Sequence, residues 1–187
     1  MKNLKSVYLF TCLSFAGLLY GCDNEDEGPK PETIDFTATF FTERGNPLTP
    51  CGTAISETNF WVQEHQIGDG TATELGEFTT EMTFCIHFIT DEDGNILPTE
   101  EGFGEYGDGV GEFIGENGDK ITFTIPEGRV KLSSNPDYVF EFQDKIIIDG
   151  GTGAFEGATG ELVSDSYVGA DGIVDHDWSG EITIVRQ

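Results

Sequence analysis

The sequence has few basic residues and no apolar run long enough to span a membrane. Its 187 residues include 9 Lys and Arg against 35 Asp and Glu, which give a formal net charge of −26. Affinity for nucleic acid comes from cationic side chains that displace counterions from phosphate, so this balance predicts no nucleic-acid partner. The uncharged stretch at residues 7–20 is shorter than the roughly 20 apolar residues that a spanning helix needs, which disfavours a transmembrane anchor.

Helical periodicity is also missing from most of the chain. From Ile34 onward no long stretch has the three-and-four spacing of apolar residues that indicates an amphipathic helix. Apolar and polar residues instead alternate, most clearly over residues 78–88, where the even positions are apolar. This pattern predicts a half-buried strand with its even face in the core and with Cys85 and His87 on the outer face. Residues 34–187 are therefore predicted to form one all-β domain.

Cysteine is scarce, and only Cys51 and Cys85 lie in the predicted domain. In an oxidising compartment two such cysteines usually pair, and closing a loop of this length stabilises the fold by roughly 3 to 4 kcal/mol. The alternative is a nucleophilic Cys85 activated by His87. Neighbours two apart on a strand lie too far from each other for direct thiolate–imidazole contact, so we predict a Cys51–Cys85 disulfide.

The N-terminus has the layout of a secretory signal peptide, because two lysines in the first five residues precede the apolar stretch at residues 7–20. The stretch ends in Leu19-Tyr20-Gly21-Cys22, which resembles the bacterial lipobox. The resemblance implies cleavage after residue 21 and a diacylglycerol on the Cys22 thiol. We therefore expect residues 1–21 to be a lipoprotein signal peptide and Cys22 to attach the protein to a membrane. A plain signal peptide with an incidental cysteine is the alternative.

An acidic segment at residues 23–27 follows this cysteine and leads into Gly28 and two prolines. A run of like charges repels itself and buries nothing, so residues 22–33 are predicted to be an extended tether. The position of the run resembles the acidic export signal of Bacteroidetes surface lipoproteins. The resemblance implies an outer-membrane lipoprotein that is exposed on the cell surface. A spacer on a periplasm-facing lipoprotein is the alternative.

Turn-forming residues separate about eight alternating segments. Asn117-Gly118 lies between two of them and predicts a hairpin with a type I′ turn. The glycine-rich residues 94–110 are predicted to form one long loop, and the acidic residues 171–177, which include His176, a second loop. Strands joined by short turns, with no helix to cover an open sheet, predict a single closed antiparallel barrel of about eight strands.

A glycine-rich segment resembles a known family. Residues 149–160 read DGGTGAFEGATG and resemble a stretch of the allene oxide cyclase and dirigent barrels, while residues 68–79 and 117–119 look like parts of bacterial secreted proteins with that barrel. The resemblance implies an allene oxide cyclase-like or calycin-like barrel, oligomeric in many plant members, with a cavity for an apolar ligand. Positive φ is expected at Gly151 or Gly153, where the chain turns tightly. The turn and plug residues are expected to be Gly150, Gly151, Gly153, Phe155, Gly157 and Gly160.

The sequence contains no recognisable arrangement for catalysis, metal binding or cofactor binding. A Gly-x-Ser-x-Gly nucleophile elbow is absent. Residues 91–95 have the first carboxylates of a calcium loop without the remaining ligands, so they are predicted to be a solvated turn. Trp61 and Trp178 fit either a sugar-stacking platform or the core.

Two function classes follow from these observations. We expect a non-catalytic binding or interaction module for a small apolar ligand or a partner, with a homo-oligomer as a further expectation. The alternative is an isomerase or cyclase that encloses an apolar substrate. The barrel interior discriminates between them and a purely external role: a cavity of about 300 Å³ or more, with a buried Glu, Asn or His and an open mouth, favours ligand binding or catalysis. An interior filled by phenylalanine leaves only the outer surface, and the candidates for filling it are Phe78, Phe84, Phe140, Phe142 and Phe155.

Overall fold

The computed structural model of the protein describes residues 28–52, 56–98 and 102–186. Within these ranges the regular structure consists of β-strands and one 3₁₀ turn. The predicted signal peptide, Cys22 and the acidic run at residues 23–27 lie outside the described residues. No helix in the described ranges is long and apolar enough to cross a membrane.

Most of the strands are long and run the full height of the molecule. In chain order they are β1 (Lys30–Arg44), β2 (Thr49–Pro50), β3 (Asn59–Ala72), β4 (Gly76–Ile89), β5 (Gly104–Gly115), β6 (Lys120–Leu132), β7 (Phe140–Phe142), β8 (Lys145–Thr152), β9 (Thr159–Val168) and β10 (Val174–Arg186). The 3₁₀ turn, Gly153–Phe155, lies between β8 and β9.

The strands form a closed antiparallel barrel of eight strands, which confirms the predicted fold class. The order around the ring is β1, β10, β9, β8, β6, β5, β4 and β3. The ring closes where β3 pairs with β1. The two short strands are additional, since β2 pairs with β3, and β7 lies beyond the start of β8 between β6 and β9. Closure pairs each long strand on both sides, so the ring presents no long open edge to another chain.

Alternation along each strand decides which side chains fill the barrel. In β4 the even positions Phe78 and Met82 are buried, as predicted, whereas Glu81 between them is exposed. Cys85 lies on the outer face and forms the predicted disulfide with Cys51, with the two Cα atoms 6.0 Å apart. Neither sulfur is therefore a free thiol. The bond links the segment that follows β2 to β4, and β3 lies between them in the sheet.

The barrel begins before its predicted boundary at residue 34. Residues 30–33 belong to β1 and pair with the end of β10, where Lys30 lies opposite Arg186. Side chains reinforce this pairing, because the Arg186 guanidinium donates to Glu32 at 2.7 Å. Part of the predicted tether is thus a strand. Its acidic residue Glu32 pairs with a cation on the neighbouring strand, so the charge repulsion that predicted a solvated tether does not act there.

The glycine-rich residues 94–110 are not one long loop, because β5 begins at Gly104. A Cβ at Gly109 would lie 2.7 Å from the Ile125 side chain of the neighbouring strand. The glycine therefore makes room for a large neighbour within the sheet. Glycine alone was a poor guide here, because it occurs both in loops and where side chains from adjacent strands crowd the interior.

A β-bulge in β5 also explains why its sequence does not show the alternation of a strand. The pairing of β4 with β5 shifts between Thr83 and Cys85, and Asp108 has a φ of 52° in the left-handed region. The inserted residue reverses the alternation, so Tyr106 and Phe113 both point inward although their numbers differ in parity. Period-two reading of the sequence fails across such an insertion.

The hairpin between β5 and β6 exists, but its turn differs from the predicted type I′. Gly118 has a φ of 87°, whereas Asn117 is not among the described residues with positive φ. The Gly115 amide donates to the carbonyl of Asp119 at 2.9 Å, which leaves three residues in the loop. This is the pattern of a type I turn followed by a left-handed glycine, and it requires positive φ at only one residue.

The predicted acidic loop at residues 171–177 is also partly wrong. Only its first half forms a turn, with Gly172 at a φ of 85°, and β10 starts at Val174. From there Val174, His176 and Trp178 point inward and are buried, while Asp175 lies on the outer face. The aspartates gave the segment the composition of a loop, but the barrel needs only every second residue to be buried.

The glycine motif of residues 149–160 lies at one end of the barrel. Gly150 and Gly151 belong to β8 rather than to a turn, whereas Gly153 has positive φ, 63°, at the start of the 3₁₀ turn. Phe155 in that turn is 1% exposed and packs inside the barrel. Two further positions of the motif require glycine for different reasons. Gly157 has a φ of 72°, and Gly160 lies against the backbone of β10, where a side chain would clash.

Candidate functional site

The two ends of the barrel differ in how their interiors are occupied. The filled end is where β1 begins and β10 ends, and there the 3₁₀ turn carries Phe155 inward onto a buried core that includes Phe36 and Ile182. The open end is where β1 ends and β10 begins. It contains a cavity of about 240 Å³, which is smaller than the volume of about 300 Å³ expected for a ligand site.

The cavity is lined mainly by apolar side chains. Phe84, Phe140 and Phe142 line it instead of filling it, and each is only partly buried. Of the five phenylalanines expected to fill the interior, Phe78 and Phe155 are buried and do not line the cavity. The interior is therefore packed at one end and hollow at the other.

A chain of hydrogen bonds crosses the wall of the cavity between β3, β1, β10 and β9. The Thr42 hydroxyl donates to Oε1 of Gln66 at 2.7 Å and lies 2.9 Å from Nε2 of His176. Because a hydroxyl has one hydrogen to donate, Nε2 of His176 donates to Thr42. Nδ1 of His176 then accepts from the Ser166 hydroxyl at 2.8 Å. The chain is satisfied with a neutral imidazole.

Burial keeps His176 neutral. Desolvation lowers the pKa of His176 from 6.5 to about 3, because charging the ring inside the barrel would remove it from water without a counter-charge. The ring stacks on Phe40 with centroids 4.4 Å apart and planes within 12°. At neutral pH His176 therefore contributes a polar, uncharged surface to the cavity.

An ion pair lies at the mouth of the cavity. Nε and Nη2 of Arg44 donate to the two carboxylate oxygens of Glu64 at 2.8 and 3.2 Å. The Glu64 side chain is 9% exposed, whereas that of Arg44 is 55% exposed. The carboxylate is thus held inside the mouth and neutralised by a guanidinium from its outer edge, in the two-point geometry that favours Arg.

Trp178 carries a buried polar atom without a partner among the described residues. Its indole lines the cavity and is 2% exposed. Among the described residues, Nε1 of Trp178 is the only buried side-chain nitrogen or oxygen without a hydrogen-bond partner. Such a donor costs about 1–3 kcal/mol when left unsatisfied.

Tyr106 on β5 lines one side of the cavity and pairs with Asp144, which lies between β7 and β8. The Tyr106 hydroxyl donates to the Asp144 carboxylate, which also accepts the Arg129 amide at 3.3 Å. The Asp144 amide donates to Ser164 at 2.9 Å. Burial raises the pKa of Tyr106 and of Asp144. The pair replaces ladder bonds at a break in the sheet, and the phenol is engaged in it.

These groups do not form a catalytic arrangement. Ser166 and His176 resemble a nucleophile–base pair, but Ser166 is 0% exposed and is not among the residues that line the cavity. The third member is the hydroxyl of Thr42 and not a carboxylate. A histidine with a pKa of about 3 is also a weak general base at neutral pH.

Of the residues singled out from the sequence, Phe84, Phe140, Phe142 and Trp178 line this cavity, whereas the disulfide and the glycine motif lie away from it. Cys51 and Cys85 are joined outside the barrel, and the glycine motif is at the filled end. Trp61 stacks on His87 with centroids 4.8 Å apart on the outer face, so it forms no platform with Trp178. The sequence analysis did not identify the polar residues of the cavity. Several of them lie at even positions of β3 and β10, where alternation predicts side chains that point inward.

The Asp91 carboxylate of the predicted turn at residues 91–95 is used within the turn. The Asp91 carboxylate accepts the amides of Asp93 and Asn95 at 3.0 and 2.8 Å. Hydrogen bonds from Asn95 lower the pKa of Asp91. A search of the described ranges finds no group of three or more potential metal ligands.

No protein-family model and no curated protein matches this chain. A barrel architecture hosts many unrelated functions, so the fold by itself assigns none. The cavity at the open end, with its neutral polar chain, its ion pair and its unpaired indole, is the feature from which function can be argued.

Proposed function

We propose that the protein is a non-catalytic binding module of the cell envelope that takes a small apolar molecule into the open end of its barrel. The observation that carries this proposal is the cavity of about 240 Å³, lined by phenylalanines and a few oriented polar groups. Apolar walls with a small number of fixed polar atoms are typical of small-molecule sites. At roughly 30 Å³ for each water in the liquid, the volume corresponds to a ligand with on the order of ten non-hydrogen atoms.

The polar groups favour binding over catalysis. His176 is held neutral by burial, and the Tyr106 hydroxyl is committed to Asp144. Glu64 is paired with Arg44 at both carboxylate oxygens. An isomerase or cyclase that moves a proton needs a group free to accept or donate it at the substrate. Each ionisable side chain named here already has a partner or is held uncharged.

The proposal extends to location, on the basis of the N-terminal sequence. A signal peptide and a lipid on Cys22 would attach the protein to the outer membrane, exposed on the cell surface. Because β1 begins at the filled end, the tether would join the barrel opposite the cavity. The open end would then be directed away from the anchor, toward molecules outside the anchoring membrane.

Kinship with the allene oxide cyclase and dirigent barrels is part of the same proposal. It is supported by a closed eight-stranded ring and by a glycine-rich segment that contains the buried Phe155. A homo-oligomer, as in many plant members, is the corresponding expectation. Native mass spectrometry of the envelope-purified protein would measure the subunit number and any small molecule that remains bound.

Naphthalene tests the binding function because it is apolar, has a suitable size and is fluorescent. We expect a Kd on the order of tens of micromolar, from typical affinities per ligand atom. Val130→Trp places an indole where Val130 lines the cavity and should abolish binding. Val163→Trp is the matched control, since Val163 is 57% exposed. Equal binding by both variants, or none by the unmodified protein, would refute the proposal.

Intact mass measurement tests the anchor. The mature protein should begin at Cys22 and carry diacylglycerol, and Cys22→Ser should leave the unmodified precursor. Protease added to intact cells should then remove the barrel if it faces outward. A mature mass without lipid would refute the lipoprotein assignment, and full protection from protease would favour the periplasmic face.

A further inference from the structure

The cavity has one polar wall and one apolar wall. Among the described residues, its polar lining side chains come from strands that are consecutive around the ring: Glu64 and Gln66 on β3, Arg44 on β1, His176 on β10 and Ser164 on β9. The opposite side contributes apolar side chains, among them Phe84, Phe140 and Phe142. Tyr106 is the exception there, and its hydroxyl is committed to Asp144. A ligand in this cavity therefore meets polar groups along one side only.

Gln66 is a member of the polar wall that still has hydrogens to donate. Its Oε1 accepts from Thr42 at 2.7 Å, whereas its Nε2 has no hydrogen-bond partner within the part of the chain that the structure describes. Packing does not seal this nitrogen. Nε1 of Trp178 is the only fully buried side-chain nitrogen or oxygen of the described residues without a partner, so Nε2 of Gln66 keeps accessible surface. Gln66 points into the barrel, lines the cavity and is only 9% exposed, so that surface opens into the cavity.

The rest of the polar wall favours an uncharged ligand group. Both ring nitrogens of His176 have partners, and the ring is neutral. The charges of Arg44 and Glu64 balance each other through two hydrogen bonds. An ionised group of the ligand would lose its hydration beside a wall without net charge, a cost that a neutral group avoids.

We propose that the ligand is a neutral molecule with one polar edge: an acceptor oxygen that receives an N–H of Gln66, and an apolar remainder that packs on Phe84, Phe140 and Phe142 across the cavity. An amide N–H in an apolar cavity is costly without a partner, and an acceptor on the ligand satisfies it. Carbonyl and ether oxygens on a largely hydrocarbon molecule meet this requirement. The inference rests on the proposed function, since it names the ligand class of the same cavity.

Three bicyclic probes of nearly equal size separate the possibilities. 1-Indanone carries an acceptor oxygen and no polar hydrogen, indole carries an N–H donor and no acceptor oxygen, and indane carries neither. Affinity is measured by calorimetry. We expect 1-indanone to bind roughly 3- to 10-fold more tightly than indane, the range for one neutral hydrogen bond, and more tightly than indole.

Two variants on the same strand test the donor. Gln66→Met keeps the length of the side chain and removes both amide hydrogens, so it should remove the preference for 1-indanone over indane. Gln63→Met is the matched control and should keep the preference, because Gln63 lies on the exposed outer face of β3. In the unmodified protein, ¹H–¹⁵N NMR should show the side-chain amide signal of Gln66 moving downfield with 1-indanone and not with indane. This shift tests the proposal even if Gln66→Met folds poorly.

The outcomes also separate this inference from the proposed function. Equal affinity for 1-indanone and indane, tightest binding of indole, or a preference for 1-indanone that survives in Gln66→Met would overturn the ligand class while leaving a ligand-binding cavity. An unchanged Gln66 amide signal in the saturated 1-indanone complex would overturn the assignment of Gln66 as the donor. Failure of all three probes and of naphthalene would overturn the proposed function, and this inference with it.

Discussion

The filled and open ends of this barrel share the same eight strands, but they differ in the side chains that those strands carry and in the 3₁₀ turn that places Phe155 inside the filled end. Along β1 the inward positions change from Phe36 near the filled end to Thr42 near the open end. Along β10 they change from Ile182 to His176 in the same direction. The difference teaches that close packing and the proposed ligand binding are separated along the barrel axis. One end is filled by packed aromatic and aliphatic side chains, and the other exchanges packing for a hollow with polar contacts.

The largest expected effect is the loss of an aromatic side chain from the filled end. Phe155→Ala removes a side chain that is 1% exposed and should destabilise the fold by about 3–5 kcal/mol. Phe140→Ala at the open end removes a partly buried ring that borders a cavity, and we expect a loss of about 1 kcal/mol. Urea denaturation measures both. Similar losses from the two variants would break the comparison between the ends.

The disulfide should matter next, because it braces the open half of the barrel from outside. Cys51→Ser with Cys85→Ser is expected to lower the free energy of unfolding by about 3 kcal/mol, from the loop that the bond closes. Hydrogen exchange should increase more in β3 and β4 near Cys85 than near Phe78. Uniform exchange along β4 would show that the two ends unfold together.

Acid should act on the open end through His176. Its pKa is lowered to about 3 in the fold from 6.5, so below pH 6.5 the unfolded chain gains a proton that the folded protein does not bind. Stability is therefore lost as the pH falls from 6.5 toward 3, by on the order of 3 kcal/mol at pH 4. Glu64 and Arg44 line the same cavity and are left unchanged in this comparison.

Denaturation at several pH values in His176→Gln measures this contribution. The slope of stability against pH between 6.5 and 4 should become shallower than in the unmodified protein. His87→Gln is the control, because His87 lies on the outer face next to Trp61. An unchanged slope in His176→Gln would mean that the imidazole is not responsible for acid sensitivity.

The smallest effect is expected at the mouth. Arg44→Met leaves the Glu64 carboxylate inside the mouth without its cation, but Arg44 is more than half exposed and water can reach the site. We therefore expect a loss of about 1–2 kcal/mol, below that of a fully buried pair. Adding Glu64→Gln should recover most of it. If the double variant is as unstable as Arg44→Met, the pair contributes by packing and not by charge.

The candidate site was harder to predict than the fold. Alternation in β4 identified its buried face and the outward position of Cys85, because an uninterrupted alternation assigns every residue of a strand to one of its two faces. In β10 the same alternation was present, yet the aspartates around His176 suggested a loop. In β5 the bulge at Asp108 reversed the alternation. Local composition reflects the exposed side chains. A prediction from composition therefore fails where polar residues face outward from a strand whose other face is buried.

By itself, the sequence determined an all-β domain, a closed barrel and a disulfide, because alternation, turn residues and cysteine usage act locally or through simple pairing. Only the tertiary structure decided that one end is filled and the other hollow. A cavity depends on side chains from strands distant in the chain, such as Gln66, Tyr106 and His176. Whether such side chains meet or leave space is a property of the closed ring, since register and bulges decide which residues share a layer.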